Sequence, residues 1–85
     1  MSYEFHPAAE TEHLESVAYF ESKRAGLGAS YLSEFEETMQ RICEAPHRYP
    51  VEKEPDTRLI RMNRFPYKIW LKTSTAPWEV LKASS

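Results

Sequence analysis

Leu27, Tyr31, Phe35, Met39 and Ile42 recur at intervals of four, four, four and three, the spacing that lines one face of an α-helix with apolar groups. Leu32 lies alongside this stripe, and Glu34, Glu36, Glu37, Gln40 and Arg41 take the remaining, solvent-facing positions. Pro46 ends the helix, because it lacks an N–H donor and pushes the residue before it out of the helical region. Upstream, the pattern predicts a first helix from about Pro7 to Ala25. Pro7 suits an opening position, Glu10 and Glu12 sit near the positive end, and Leu14, Val17, Ala18 and Glu21 fall at helical spacing, with Tyr19 and Phe20 widening the apolar stripe. Lys23-Arg24 ahead of Gly26 supplies a basic last turn and a left-handed terminator. A link as short as Gly26-Leu27-Gly28 predicts an antiparallel helical hairpin whose stripes face one surface. Something flat has to cover that surface.

Outside the helices the apolar period drops to two. Tyr3-Glu4-Phe5 reads as a short first strand broken by His6-Pro7, and residues Pro46 to Asp56, with three prolines and several charges, read as a loop. Arg58-Leu59-Ile60-Arg61-Met62 and Tyr67-Lys68-Ile69-Trp70-Leu71-Lys72 read as strands. In the second, Tyr67, Ile69 and Leu71 face one way and Lys68, Trp70 and Lys72 the other. Asn63-Arg64-Phe65-Pro66 forms a tight reversal between them, and Thr73-Ser74-Thr75-Ala76-Pro77 a second turn before Trp78-Glu79-Val80-Leu81-Lys82. The expected fold class is α+β, in the order β-α-α-β-β-β, with the helical hairpin packed on a small antiparallel sheet.

Composition narrows the setting. The chain has 85 residues, 41% hydrophobic and 28% charged, which fits one small domain and argues against disorder. Its longest apolar run is a few residues, and Met1-Ser2-Tyr3-Glu4-Phe5 has no basic region leading into an apolar stretch, so neither a membrane span nor a signal peptide is expected. The single cysteine, Cys43, has no second thiol or clustered histidine at ligand spacing, which points to a reducing cytoplasm and to no metal site. The net charge of −2 conceals an asymmetry. Residues 1–45 carry nine acidic and three basic side chains, and residues 46–85 four acidic and eight basic. From Thr57 through Lys72 there are five cations and no acid, a local positive field on a nominally acidic chain.

In four places, Phe5-His6-Pro7-Ala8-Ala9, Leu14 through Tyr19-Phe20-Glu21, Leu27-Gly28, and Arg58 through Phe65-Pro66-Tyr67-Lys68-Ile69, the sequence resembles the RelE/ParE toxins of bacterial type II toxin–antitoxin pairs (plasmid stabilisation type). The Phe-Pro-Tyr triplet after an arginine-bearing strand is the most specific piece. The resemblance implies a single toxin domain over residues 1–85, neutralised by a cognate antitoxin. Its effect would run either through DNA gyrase or through cleavage of mRNA on the ribosome, in a homo-oligomer or a hetero-oligomer with the antitoxin. Family members usually continue past the strand represented by Glu79-Val80-Leu81 into a segment with a histidine or tyrosine and paired basic residues, where this chain reads Lys82-Ala83-Ser84-Ser85. The aromatic acid/base role of the cleaving members then has no occupant, so no catalytic residue and no cofactor is expected.

Messenger cleavage through a 2′-hydroxyl needs a base, an acid and cations on the phosphorane. Arg58, Arg61 and Arg64 could supply the cations, although Arg58 and Arg61 have opposite strand parity. His6, His13 and His47 read as structural or exposed, Tyr67 as a core ring with a wet hydroxyl, and Cys43 as a packing residue. Binding asks for less. Lys68, Trp70 and Lys72 place an aromatic between two cations on one strand face, a set suited to an acidic, apolar peptide or to nucleic acid. The acidic overall balance favours the first, that is, protein binding with DNA gyrase as target. The alternatives are a ribosome-dependent mRNA endoribonuclease and a truncated, inactive toxin that only binds antitoxin.

Overall fold

The computed structural model describes residues 3–74 and 76–84, so Thr75 of the expected second turn lies outside the described residues. The elements run β1 (Tyr3–Phe5), α1 (Pro7–Lys23), α2 (Leu27–Glu44), a single 3-10 turn (Pro46–Arg48), β2 (Val51–Lys53), β3 (Thr57–Arg61), β4 (Lys68–Lys72) and β5 (Trp78–Ser84). The class is α+β: two helices packed on a five-stranded sheet of order β1-β5-β4-β3-β2.

The sheet is mixed rather than antiparallel. β1 runs parallel to β5, pairing Tyr3 with Trp78 and Phe5 with Val80, while the other three pairs are antiparallel. The helical hairpin carries the chain from one edge strand to the other, and the meander from β2 back to β5 ends beside β1. Strand direction is set by that crossover and is not recorded in Tyr3-Glu4-Phe5 itself. The segment expected to be a loop contains β2, a three-residue edge strand that pairs with the start of β3. So short an edge strand, spaced by prolines, carries no period of its own.

Helix α1 starts as its sequence dictates. The His6 Nδ1 accepts from the Ala8 N–H at 3.2 Å, and Pro7 occupies the opening position. It ends at Lys23, and Gly26 takes a left-handed φ of 88° that non-glycine residues rarely adopt. The Glu21 carboxylate accepts from the N–H groups of Gly26 and Gly28, both at 3.0 Å, so an anion closes the positive end of α2. A Cβ on Gly28 would lie 2.9 Å from the Val17 carbonyl oxygen; the close approach of the helices requires glycine there.

On α2 the expected stripe is the buried one: Tyr31, Phe35, Met39 and Ile42 are all at most 1% exposed. They meet Ile60, Ile69, Leu71 and Val80 from the sheet. Helix α1 is rotated from the expected stripe. Ala9, His13 and Ser16 face inward, while Leu14 is 61% and Tyr19 54% exposed. Apolar residues surround α1 on all sides, so its periodicity selects no face, and the contact of Val17 with Gly28 sets the rotation instead. Glu34, expected in solvent, is buried.

The His13 ring stacks on Phe5 at 4.8 Å and packs against Phe35 at 4.5 Å, with its Nδ1 buried and lacking a hydrogen-bond partner. Burial holds this imidazole below its ordinary value of 6.5, against the opposing pull of Glu10 on α1 and Glu36 on α2. Two predictions follow from this packing. Phe35→Ala should lose about 3–5 kcal/mol, most of the stability of so small a domain, measured by denaturant unfolding. For His13 the folded pKa lies below the unfolded one, so the unfolded chain takes up the proton first. Stability should therefore be fully present above the ordinary imidazole value and fall as pH drops below it. Unfolding curves on either side of that value should show the fall in wild type and its loss in His13→Phe.

Candidate binding surface

The helices cover one face of the sheet and leave the other open. In β4 the core side is taken by Ile69 and Leu71, both fully buried, which turns Lys68, Trp70 and Lys72 outward. Strand register then builds the open face row by row. Leu59 pairs with Trp70 and Trp70 with Lys82; Arg61 pairs with Lys68 and Lys68 with Ser84. The Lys82 Nζ lies over the Trp70 indole, 5.6 Å from the ring centroid, a cation–π contact. Apolar Leu59 and Trp70 are thus surrounded by Arg61, Lys68, Lys72 and Lys82. Among the described residues none of these four cations forms an ion pair, the one pair being Glu34–Arg64. Glu4 and Glu79, paired across β1 and β5, mark the acidic border of the patch.

Four of the six sequence candidates, Arg61, Lys68, Trp70 and Lys72, therefore share one surface. The other two do not join them. Arg58 has the parity of buried Ile60, and its guanidinium donates to the Tyr49 carbonyl at 2.6 Å and the Pro46 carbonyl at 3.2 Å, tying the 3-10 turn to the sheet. Arg64 sits in the β3–β4 turn, where its Nε donates to Glu34 Oε1 at 2.8 Å. Both cations hold backbone or a buried acid in place. Lys82 and Leu59 were missed from the set. Strict alternation from buried Val80 would send Lys82 inward, but the register shifts between Trp70 and Leu71, so that Trp70 pairs with Lys82 and Leu71 with Val80. The extra residue, Leu81, is a bulge that returns Lys82 to the outer face. Leu59 could have been found from its parity with Arg61.

Tyr67 is half-buried against Phe20 and Tyr31, with its hydroxyl accepting from Ser16 Oγ at 3.2 Å. Burial pushes the neighbouring Tyr31 up to about 12, so that phenol stays neutral in ordinary conditions. Among the described residues there is no group of three His, Cys, Asp or Glu side chains that could hold a metal, and no helix long and apolar enough to cross a membrane. No family model matches the sequence, and no curated protein matches it.

The position of the whole surface depends on Glu34. Its Oε2 accepts from the N–H groups of Asn63 at 2.7 Å and Arg64 at 2.8 Å, while Oε1 accepts from the Arg64 Nε. The guanidinium and the two amides hold the carboxylate below its ordinary value of 4.5 despite burial. Glu34→Ala should lose about 2–3 kcal/mol, the size expected when hydrogen bonds to a charged acceptor disappear. Because the folded pKa is the lower one, the stabilisation is present above the ordinary glutamate value and is lost as pH falls through the folded pKa. Acid unfolding followed by circular dichroism should show a component that Glu34→Gln removes.

Proposed function

We propose that this chain is the toxin component of a type II toxin–antitoxin system of the RelE/ParE type, acting by protein binding and neutralised by a cognate antitoxin, with DNA gyrase as its target. The observation that carries the reading is the uncovered sheet face. Trp70 lies there beneath Lys82 and beside Leu59, among cations that form no ion pair among the described residues, with Glu79 in register opposite Lys72. A half-buried aromatic on an outward face, bordered by cations, fits a partner segment that is both acidic and apolar, and such an aromatic is the type of anchor that dominates interface energy. The α+β order and the Phe65-Pro66-Tyr67 triplet agree with the family resemblance. Two features weigh against RNA cleavage as the principal activity. Arg58 and Arg64 are committed to internal contacts, which leaves Arg61 alone of the arginines proposed to steady a phosphorane. The chain also carries a net charge of −2, a poor start inside a dense phosphate field.

The test joins binding and activity. A small acidic protein is expected in the adjacent reading frame and should capture this chain, and Trp70→Ala or Lys68→Glu should weaken capture by at least about 2 kcal/mol, about 30-fold in Kd. Purified wild type should inhibit supercoiling by DNA gyrase, and translating ribosomes given the protein should show no codon-phased cuts in the messenger. Cuts that vanish in Arg61→Ala would replace this reading with the endoribonuclease. Capture without gyrase inhibition would reduce it to antitoxin binding alone, and unchanged capture in both variants would move the contact to the helices.

A further inference from the structure

Two arginines that are far apart in sequence, Arg41 in the last turn of α2 and Arg61 at the end of β3, line one cleft of about 380 Å³. That size lies within the ~300–1,000 Å³ range of small-molecule sites. Tyr49 and Asn63 complete its polar wall, and Pro50 and Leu59 its apolar floor. Glu52 lines the cleft as well, yet among the described residues neither arginine is ion-paired with it or with any other acid. Two guanidinium groups and one carboxylate lining the same space leave it with excess positive charge, which a bound anion offsets.

The walls are held in place by contacts outside the cleft. The Arg41 Nη2 donates to Thr38 Oγ1 at 3.0 Å, and Thr38 in turn donates to the Glu34 carbonyl at 2.7 Å. Asn63 is fixed by its N–H on the Glu34 carboxylate at 2.7 Å, and Tyr49 by its carbonyl on the Arg58 guanidinium at 2.6 Å. Arginine presents paired N–H donors in a planar fork that matches phosphate oxygens, and a fork fixed beforehand loses less freedom on binding.

We propose that this cleft is a binding site for a small phosphate-bearing anion, held between Arg41 and Arg61 with Tyr49 and Asn63 as further polar contacts. The occupant is a single phosphate or a small ester rather than a nucleic acid strand. Two arginines and the Glu52 carboxylate leave a single net positive charge in the cleft, which suits one small phosphate better than a polyanion. The cleft shares Leu59 and Arg61 with the outer face but not Lys68, Trp70 or Lys72, and its Arg41 comes from a helix on the opposite side of the sheet.

The probe is inorganic phosphate, titrated into the full chain in a phosphate-free buffer and followed by amide chemical shifts, with chloride at matched ionic strength as the reference. Saturable shifts at Tyr49, Asn63 and Arg61 are expected with phosphate and not with chloride. Arg41→Gln and Arg61→Gln should each raise Kd about tenfold, the effect of one lost charge-assisted contact. Lys23→Gln, which removes the same charge from α1 outside the cleft, should leave Kd unchanged. Arg61 is exposed and makes no side-chain hydrogen bond among the described residues, so Arg61→Gln decides the matter even if Arg41→Gln unfolds. Trp70→Ala should bind phosphate as wild type does, which separates failure here from failure of the partner-binding reading. Equal losses in Lys23→Gln, shifts that do not saturate, or a short oligonucleotide bound in preference to phosphate would each overturn the assignment.

Discussion

A buried carboxylate is tolerated only when its charge is met on every side, and Glu34 meets that condition through two amide N–H groups and one guanidinium. This contact joins the second helix to the β3–β4 turn. It fixes where that turn stands, and through the turn it fixes which residues of β3 and β4 lie opposite each other. Arg61 faces Lys68 and Leu59 faces Trp70 because the hairpin closes at that point. The same residue reaches the other side of the sheet edge, since its carbonyl receives Thr38 and Thr38 receives Arg41. Glu34 thus bears on both places, through its carboxylate on the β3–β4 turn and through its backbone carbonyl on Thr38.

The helical hairpin has its own constraint, and it is steric. Gly28 against the Val17 carbonyl brings the helices close together, and Glu21 reaches back to cap the helix that follows. With the link this tight, α1 has one rotation available, and that rotation turns His13 rather than Leu14 toward the sheet. A titratable ring consequently sits among Phe5, Tyr31 and Phe35. Leu14 and Tyr19 are left outside, the latter beneath Lys23, whose Nζ lies 5.0 Å from the ring centroid.

Charge is divided between the two sides of the molecule as it is between the two halves of the chain. The helices supply most of the acid and the sheet most of the base, but the halves do not neutralise each other by pairing: one ion pair forms among the described residues. The outer face keeps a positive field because Arg61, Lys68, Lys72 and Lys82 outnumber the acids beside them, Glu79 opposite Lys72 and Glu52 near Arg61. At distances beyond a Debye length such charges are screened from each other, so each face presents its own sign to a partner.

The amino-acid sequence by itself determined what is periodic. The α2 stripe, the alternation in β4, the turn at Asn63-Arg64-Phe65-Pro66 and the α+β class follow from local spacing, and with them the common face of Lys68, Trp70 and Lys72. Tertiary structure alone decided what depends on pairing between distant segments. The direction of β1, the existence of β2, the bulge that turns Lys82 outward and the face of α1 leave no trace in local spacing. The separate fates of Arg58, Arg61 and Arg64 belong to the same group. All three looked like free cations, but Arg58 found two carbonyls and Arg64 found a buried carboxylate. Arg61 alone remained available, because a side chain's role is fixed by the partner within hydrogen-bond reach, and that partner is chosen by the fold.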